Sequence, residues 1–303
     1  MNHHHRYCLR HLKPPPRNQK LTRLHRTVNG YQNNLRQTIL AAIQVIDRDK
    51  KIPSKMSILM ERESGPGGRG PDVGGPFVLI AMQMSIPCKN IRGTIRVNSN
   101  RTGESLPPPV FTCPSNGDSQ LAFRMNQGVE REWEITNRND RILFKSGYNK
   151  GQSISAVTDG LSNTIAFAER PSFNETKTIR RSIARDSSAQ SFEEMPGFCE
   201  SAFRSGMVFS SALQNYPEWW SSRNCDTEYD HSRGPNFQAV DCISTFGPMP
   251  PVQRTLIASR SFHVGGVNVA ALDGSIRLVS DRVAIETWRA LGTHDMGDVV
   301  GDW

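Results

Sequence analysis

The sequence predicts an α+β fold, and three patterns indicate it. An amphipathic helix is expected over residues 31–47, where apolar side chains recur at helical spacing, namely Leu35, Ile39, Ile43 and Ile46. Near the C-terminus, apolar and polar residues alternate over 267–280 on both sides of an Asp-Gly pair, which is typical of a β-hairpin. Between these elements the chain is rich in loops, with 24 glycines and 19 prolines in 303 residues. That composition favours short, mainly antiparallel strands with long irregular insertions.

Residues 1–30 are predicted to form a disordered basic tail. They hold seven Lys or Arg residues and no acidic residue, together with the triplets His3–His5 and Pro14–Pro16, a composition unsuited to a packed core. Three adjacent imidazoles on such a segment form no preorganised metal site, although they can bind metal adventitiously. The tail carries most of the formal net charge of +8, since residues 31–303 contain 30 basic and 29 acidic residues. A near-neutral body argues against nucleic acid as a partner.

The middle of the chain is expected to contain several short strands, at 77–82, 94–97 and 141–144. Residues 153–169 are predicted to form a strand, an Asp-Gly turn and a second strand, with Ile165 and Phe167 on one face of that second strand. The region 171–255 has little periodicity and is expected to be an irregular insertion that carries the member-specific function. It includes the pair Trp219-Trp220.

The C-terminal hairpin can be described in more detail. Asp273-Gly274 suits a two-residue type I′ turn, which would pair Ala271 with Ile276 and Ala270 with Arg277. One half-buried face would then hold Val269, Ala271, Ile276 and Leu278. Gly265-Gly266 gives a second flexible point just before the first strand.

His263 lies ten positions before Asp273, and the two could be taken for a catalytic dyad. The intervening strand holds its ends roughly 20 Å apart at about 3.3 Å per residue, so the two side chains are not expected to meet. Asp273 is predicted to cap the turn backbone, and His263 to be a hydrogen-bonded residue near a sheet edge. No nucleophile elbow, phosphate-binding loop or metalloprotease motif occurs, so no catalytic residue is expected.

The six cysteines suggest no metal centre. None forms a Cys-x-x-Cys pair or stands at zinc-ligand spacing, so no structural zinc is predicted. In an exported protein, a disulfide is plausible between Cys88 and Cys113, or within the set Cys199, Cys225 and Cys242. In a cytosolic protein most of these would be buried thiols.

Five segments in a fixed order carry a family resemblance. They are Asn33–Gln37, Cys113-Pro114-Ser115, the run 158–164 with Glu169, the stretch from His263 to Gly274, and 288–293. Together they resemble a bacterial prepilin-type family of unknown function that has a C-terminal His-x9-Asp-Gly signature. The motif residues are Asp159, Gly160, Ser162, Asn163, Glu169, His263, Gly265, Gly266, Asp273 and Gly274.

The resemblance implies a pilin-like architecture for residues 31–303, with an insertion at 171–255 and the signature segment at 256–303. It implies a non-catalytic, pseudopilin-like subunit of a type II secretion or type IV pilus-like system in the cell envelope, with other pilin-like or envelope subunits as partners. Members carry a hydrophobic N-terminal helix as membrane anchor, whereas no run of about 18 apolar residues occurs here. Either the true start differs from Met1, or this is a member that stays soluble or cytoplasmic.

An alternative function is an extracytoplasmic module that binds a solute, a glycan or calcium, with a pocket near Trp219, Trp220 and His263. Related pseudopilins use calcium, and Asp159, Ser162, Asn163 and Glu169 offer oxygen ligands. Calcium prefers about six to eight oxygens, more than this segment supplies. A turn bonded to its own backbone is therefore favoured, and no cofactor is expected.

Overall fold

The computed structural model has an α+β architecture built from two main sheets. It describes residues 17–53, 57–60, 72–74, 107–113, 121–129, 131–133, 151–171, 183–186, 191–207, 227–246, 252–297, 300 and 303. The predicted strands at 77–82, 94–97 and 141–144, and the Trp219-Trp220 pair, lie outside these residues.

The helices and strands follow one another along the chain as three helices and thirteen strands within the described residues. Helix α1 spans Arg17–Asp49, α2 Met195–Arg204 and α3 Ile285–Ala290. The strands are β1 Lys51–Ile52, β2 Ser57–Met60, β3 Asp72–Gly74, β4 Phe123–Asn126, β5 Arg131–Trp133, β6 Gln152–Ser153, β7 Ile165–Glu169, β8 Ile183–Asp186, β9 Glu228–Tyr229, β10 Asp241–Phe246, β11 Val252–Leu256, β12 Gly266–Ala271 and β13 Ile276–Ser280. Single 3₁₀ turns occupy Pro109–Phe111 and Ile154–Ala156.

The central sheet has five strands in the order β13-β12-β7-β4-β9. Neighbours are antiparallel except for the parallel pair β4 and β9. Helix α1 covers one face through a core that includes Leu35, Ile39 and Phe167, and α3 covers the other through Trp288. The hairpin strand β12 is therefore buried on both faces, and the expectation of a half-buried sheet is wrong there because two helices, not one, cover the sheet.

Helix α1 begins at Arg17, ahead of the predicted start at residue 31. The expected disordered tail is thus wrong for residues 17–30, whereas residues 1–16 lie outside the described part. Pro16 stands immediately before the helix, and Gly30 within it costs about 1 kcal/mol of helical propensity relative to alanine. The buried residues of α1 include Leu35, Ile39, Ala42 and Ile46. No helix within the described ranges combines the length and the hydropathy of a membrane-spanning segment.

The hairpin forms over the predicted residues but in a different register. Ala270 pairs with Ile276, and Val269 with Arg277. The backbone N–H of Gly274 donates to the carbonyl of Ala271, and among the turn residues only Gly274 has a positive φ, +89°. This is a three-residue turn with a glycine bulge rather than a type I′ turn. Because the extra residue shifts the pairing by one, Ile276 shares a face with Ala270.

Strand β7 also departs from simple alternation. Ala270 pairs with Phe167 and Ala271 with Ile165, which leaves Ala166 as an extra residue. This bulge separates two residues that were predicted to share a face, because Ile165 packs with Ala168 towards Trp288 whereas Phe167 packs towards α1.

A second sheet, in the order β5-β11-β10-β8, packs with α2. Its strands and α2 fall largely within 171–255, so the expectation of an irregular insertion is wrong for the described parts of that region. A disulfide joins Cys199 to Cys242, with Cα atoms 5.7 Å apart, and it draws its pair from the predicted set. The buried carboxylate of Asp241 accepts hydrogen bonds from Arg170 and Arg260, which ties this sheet to the end of β7.

Candidate functional site

Three of the sequence motifs meet at one buried cluster beside the edge of α1. Its members are Cys113, Glu169 and His263, hereafter the motif cluster. They are far apart in the chain, and each stands in a different segment of the resemblance. A different set of hydrogen bonds positions each of the three residues.

Cys113 is positioned by the loop that follows the 3₁₀ turn Pro109–Phe111. The side-chain amide of Asn34, on α1, donates to the carbonyls of Pro109 and Thr112, at 3.2 Å in each case. Thr112 also forms a β-bridge with Leu121. The Asn33–Gln37 segment of α1 thus fixes the backbone directly before Cys113.

Glu169 ends strand β7, where it pairs with Phe123 of β4. Its Oε2 accepts two hydrogen bonds from Asn268 of β12, one from the backbone N–H at 2.5 Å and one from the side-chain amide at 3.0 Å. Asn268 is oriented in turn by Gln32 of α1, whose Nε2 donates to Asn268 Oδ1 at 3.0 Å. With Oε2 occupied in this way, Oε1 is directed at His263.

His263 lies in the short loop before β12. Its backbone N–H donates to Ser261 Oγ at 2.7 Å. Gly265, with φ of +88°, supports the bend that follows. At Gly266 an added Cβ would lie 2.1 Å from the carbonyl oxygen of Val279, so only glycine allows β13 to approach this closely. The Gly-Gly pair therefore has two different roles, one conformational and one steric.

The side chains of Glu169 and Cys113 both approach the same ring nitrogen of His263. His263 Nε2 lies 2.8 Å from Glu169 Oε1 and 3.8 Å from Cys113 Sγ, and all three ligand atoms lie within 4.8 Å of one another. The side chains of His263 and Glu169 are only 7% and 4% exposed. A thiol, an imidazole and a carboxylate thus share one small volume with little access to water.

The electrostatics of the motif cluster favour a charged imidazole. Burial lowers the pKa of His263, but hydrogen bonds to Cys113 and Glu169 outweigh it and raise the pKa to about 10. The raised pKa therefore favours the protonated form of His263 near neutral pH.

The motif residues of the run 158–164 organise a turn of their own. The carboxylate of Asp159 accepts hydrogen bonds from the backbone N–H groups of Met296 and Gly297. Gly160 has φ of +94°, Asn163 bonds its side chain to the Asp159 carbonyl, and Ser162 lies in the same turn. Asp159 and Glu169 therefore have separate partners: Asn163 bonds the backbone of its own turn, whereas the Asp159 carboxylate bonds the backbone at 296–297.

Asp273 has the turn role that the sequence predicts. Its Oδ1 accepts from the backbone N–H of Ser275 at 2.8 Å. Its own N–H donates to the carbonyl of Leu161, and that of Leu272 to the carbonyl of Thr164, which anchors the hairpin tip to the Asp159–Asn163 turn. The two signature residues therefore have different roles: Asp273 stabilises the hairpin turn, and His263 belongs to the motif cluster.

Sequence reasoning missed the contact of Cys113 with His263 and Glu169. Spacing rules for metal ligands search for pairs that are close in the chain, and these three are not. The available signal was that three segments of one resemblance each contain at least one residue able to bind a metal or act as a base.

A second buried histidine lies on the opposite face of the central sheet. His231 stacks on Trp288 with ring centroids 4.0 Å apart, and both lie beside Tyr229; these three form the aromatic cluster. His231 Nδ1 lies 2.6 Å from the carbonyl oxygen of Trp288, so Nδ1 carries the proton, and Nε2 accepts from the hydroxyl of Tyr229 at 2.9 Å. Burial, opposed by the bond to Trp288, lowers the pKa of His231 to about 3.

These observations define an α+β protein with a buried thiol–imidazole–carboxylate cluster at the meeting point of its sequence motifs. Residues 85–286 match a family described as a protein of unknown function, DUF1559, and the chain belongs to that family. The matched residues include all three members of the motif cluster. No curated protein and no solved structure matches the chain significantly.

Proposed function

We propose that this protein is a non-catalytic, pseudopilin-like subunit of the cell envelope, related to type II secretion or type IV pilus-like systems, that works through contacts with partner subunits. The observation that carries the proposal is the packing of a long N-terminal helix on a mainly antiparallel sheet. Helix α1 is 33 residues long, and its described buried residues lie between Leu35 and Ile46. The opposite face of this part of α1 is exposed, with Asn33, Arg36 and Gln37 on it, which leaves a helical surface available for a partner.

The disulfide between Cys199 and Cys242 supports an envelope location. Disulfides form and persist in oxidising compartments and are rare in the cytosol. Both cysteines are 1% exposed, so the disulfide covalently links α2 to the core of the second sheet.

The arrangement of the groups around His231 and His263 supports a non-catalytic role. In an acid–base relay, the base contacts the nucleophile through one ring nitrogen and its orienting carboxylate through the other. In the motif cluster both groups lie on His263 Nε2. In the aromatic cluster, neutral partners occupy both nitrogens of His231.

A photo-crosslinking experiment in the native host tests the proposal. A photoreactive amino acid at Arg36, on the exposed face of α1, is expected to capture pilin-like or other envelope subunits. The matched control places it at Glu286, an exposed position of α3 on the opposite side of the sheet, where no such product is expected. Equal yields from both positions, or none from either, would contradict a partner surface on α1.

Cell fractionation provides a second test. The protein is expected in the envelope fraction, and alkylation of the denatured protein is expected to leave Cys199 and Cys242 unmodified until a reductant is added. Recovery in the cytosol with both thiols reduced would remove the basis for the envelope assignment.

A second candidate is an extracytoplasmic binding module. The convergence of Cys113, Glu169 and His263 favours it, because a motif whose role is only structural does not need three ligand-type atoms in one place. The softness of a thiolate argues against calcium, which takes oxygen ligands. In this case α1 would crosslink to nothing, and the motif cluster would be the functional centre.

A further inference from the structure

We propose that Cys113, Glu169 and His263 form a binding site for a zinc ion. The proposal goes beyond an envelope role and holds whether or not the chain assembles with other subunits. It follows from the donor set, from the direction in which the donor atoms point, and from the hydrogen bonds that hold them.

The donor set fits zinc better than other common metals. Zinc accepts thiolate, imidazole and carboxylate ligands together, in tetrahedral geometry. Calcium and magnesium take oxygen ligands, and copper(I) favours purely soft ones. One sulfur, one nitrogen and one oxygen are therefore a zinc-type set.

The three donor atoms lie within 4.8 Å of one another, close to the separations that a tetrahedral ion imposes. With bonds of about 2.0–2.3 Å, zinc holds its ligand atoms roughly 3.2–3.6 Å apart. The observed separations from His263 Nε2 are 2.8 Å to Glu169 Oε1 and 3.8 Å to Cys113 Sγ. Small side-chain rotations bring both into range. A carboxylate that served only to pair with the imidazole would not require the sulfur to lie beside the same nitrogen.

The surroundings hold Glu169 as a ligand. Metal-bound side chains commonly have their second polar atom fixed by neighbouring groups. Glu169 Oε2 accepts both bonds from Asn268, and Asn268 is held by Gln32 of α1. The hydrogen bonds from Gln32 through Asn268 fix Oε2 and direct Oε1 at His263 Nε2, where the ion would bind. With three protein ligands, zinc would keep a fourth position for water or a group from a partner.

The test uses the full chain with His3, His4 and His5 replaced by alanine in every variant, because that triplet can bind metal adventitiously. The protein, with its Cys199–Cys242 disulfide intact, is freed of metal with a chelator and titrated with Zn²⁺ against a chromophoric competitor, and separately with Co²⁺. We expect one zinc per chain, and a near-ultraviolet charge-transfer band with Co²⁺ that reports a thiolate ligand.

Cys113→Ser, Glu169→Gln and His263→Gln are each expected to weaken zinc binding at least about 100-fold, and Cys113→Ser to abolish the cobalt band. Asn268→Ala removes the side-chain bond to Glu169 and the acceptor for Gln32 but keeps the backbone N–H bond, and it is expected to cost about 10- to 100-fold. Asp273→Asn, which changes the other signature residue, is the matched control and is expected to bind zinc as tightly as the parent.

Three results would overturn the proposal. The first is the absence of stoichiometric zinc in the parent chain, and the second is equal affinity in the cluster variants when circular dichroism shows that they are folded. The third is a disulfide on Cys113 in the native protein, detected by mass spectrometry, since a disulfide sulfur cannot act as a thiolate ligand. If zinc binds only to the chain that retains His3–His5, the proposal is overturned in the same way as by the first result.

Discussion

The aromatic cluster and the motif cluster shift the pKa of their histidines in opposite directions. In the aromatic cluster, His231 lies among apolar rings and donates to a neutral carbonyl, and its pKa falls to about 3. In the motif cluster, His263 faces a carboxylate and a thiol, and its pKa rises to about 10. Both histidines are largely buried, so burial alone does not identify a site. The charge of the partners distinguishes a histidine that packs from one that can bind a ligand.

The largest expected effect comes from breaking the aromatic cluster at its centre. Trp288 is fully buried, and Trp288→Ala should lower the free energy of unfolding by about 3–5 kcal/mol through lost burial and a cavity. Chemical denaturation measures this, with Trp288→Phe as a milder control. A loss below about 1 kcal/mol would show that the cluster is not a packing centre.

The pH dependence of stability separates the two histidines. For His231 the folded pKa of about 3 lies below the ordinary 6.5, so the unfolded chain binds the extra proton. The stability that its neutral form contributes is present above pH 6.5 and lost as the pH falls towards 3, by up to about 1.4 kcal/mol per pH unit.

His231→Gln keeps a donor for the Trp288 carbonyl and an acceptor for Tyr229. Because glutamine does not titrate, the variant should lose less stability than the parent as the pH falls below 6.5. Denaturant midpoints for parent and variant between pH 4 and 7 measure the difference. Parallel curves would mean that His231 does not titrate as its surroundings imply.

His263 should show the opposite dependence in chelator-treated protein. Its folded pKa of about 10 lies above 6.5, so its contribution is fully present below pH 6.5 and is lost as the pH rises towards 10. His263→Gln should therefore destabilise the protein by about 1–3 kcal/mol at pH 6 and by less at pH 9. A destabilisation that grows with pH would exclude an imidazolium at this position.

The smallest effect is expected at the second signature residue. Asp273 is exposed and bonds the turn backbone, so Asp273→Ala should cost about 0.5–1 kcal/mol through the lost turn bond and leave both pH limbs unchanged. Thermal unfolding at pH 4, 7 and 9 measures this. A change in how stability falls between pH 7 and 9 would mean that Asp273 acts on His263, and the two residues would then not have separate roles.

Much of the scaffold could be predicted because its signals are local. Helical spacing from Leu35 to Ile46 and the Asp273-Gly274 turn depend on residues close in the chain. The hairpin register was missed because a one-residue bulge costs little and is decided by packing against β7. The start of α1 was missed because basic, polar composition does not exclude a helix.

The sequence by itself determined the α+β class, the position of the hairpin and the turn role of Asp273. Only the tertiary structure brought Cys113, Glu169 and His263 together, because Cys113 is placed by a bond from α1, Glu169 by its strand neighbours, and His263 by a glycine bend. It also decided which histidine is neutral and which is charged. Those charges depend on contacts between residues more than fifty positions apart, and no local pattern in a chain records such contacts.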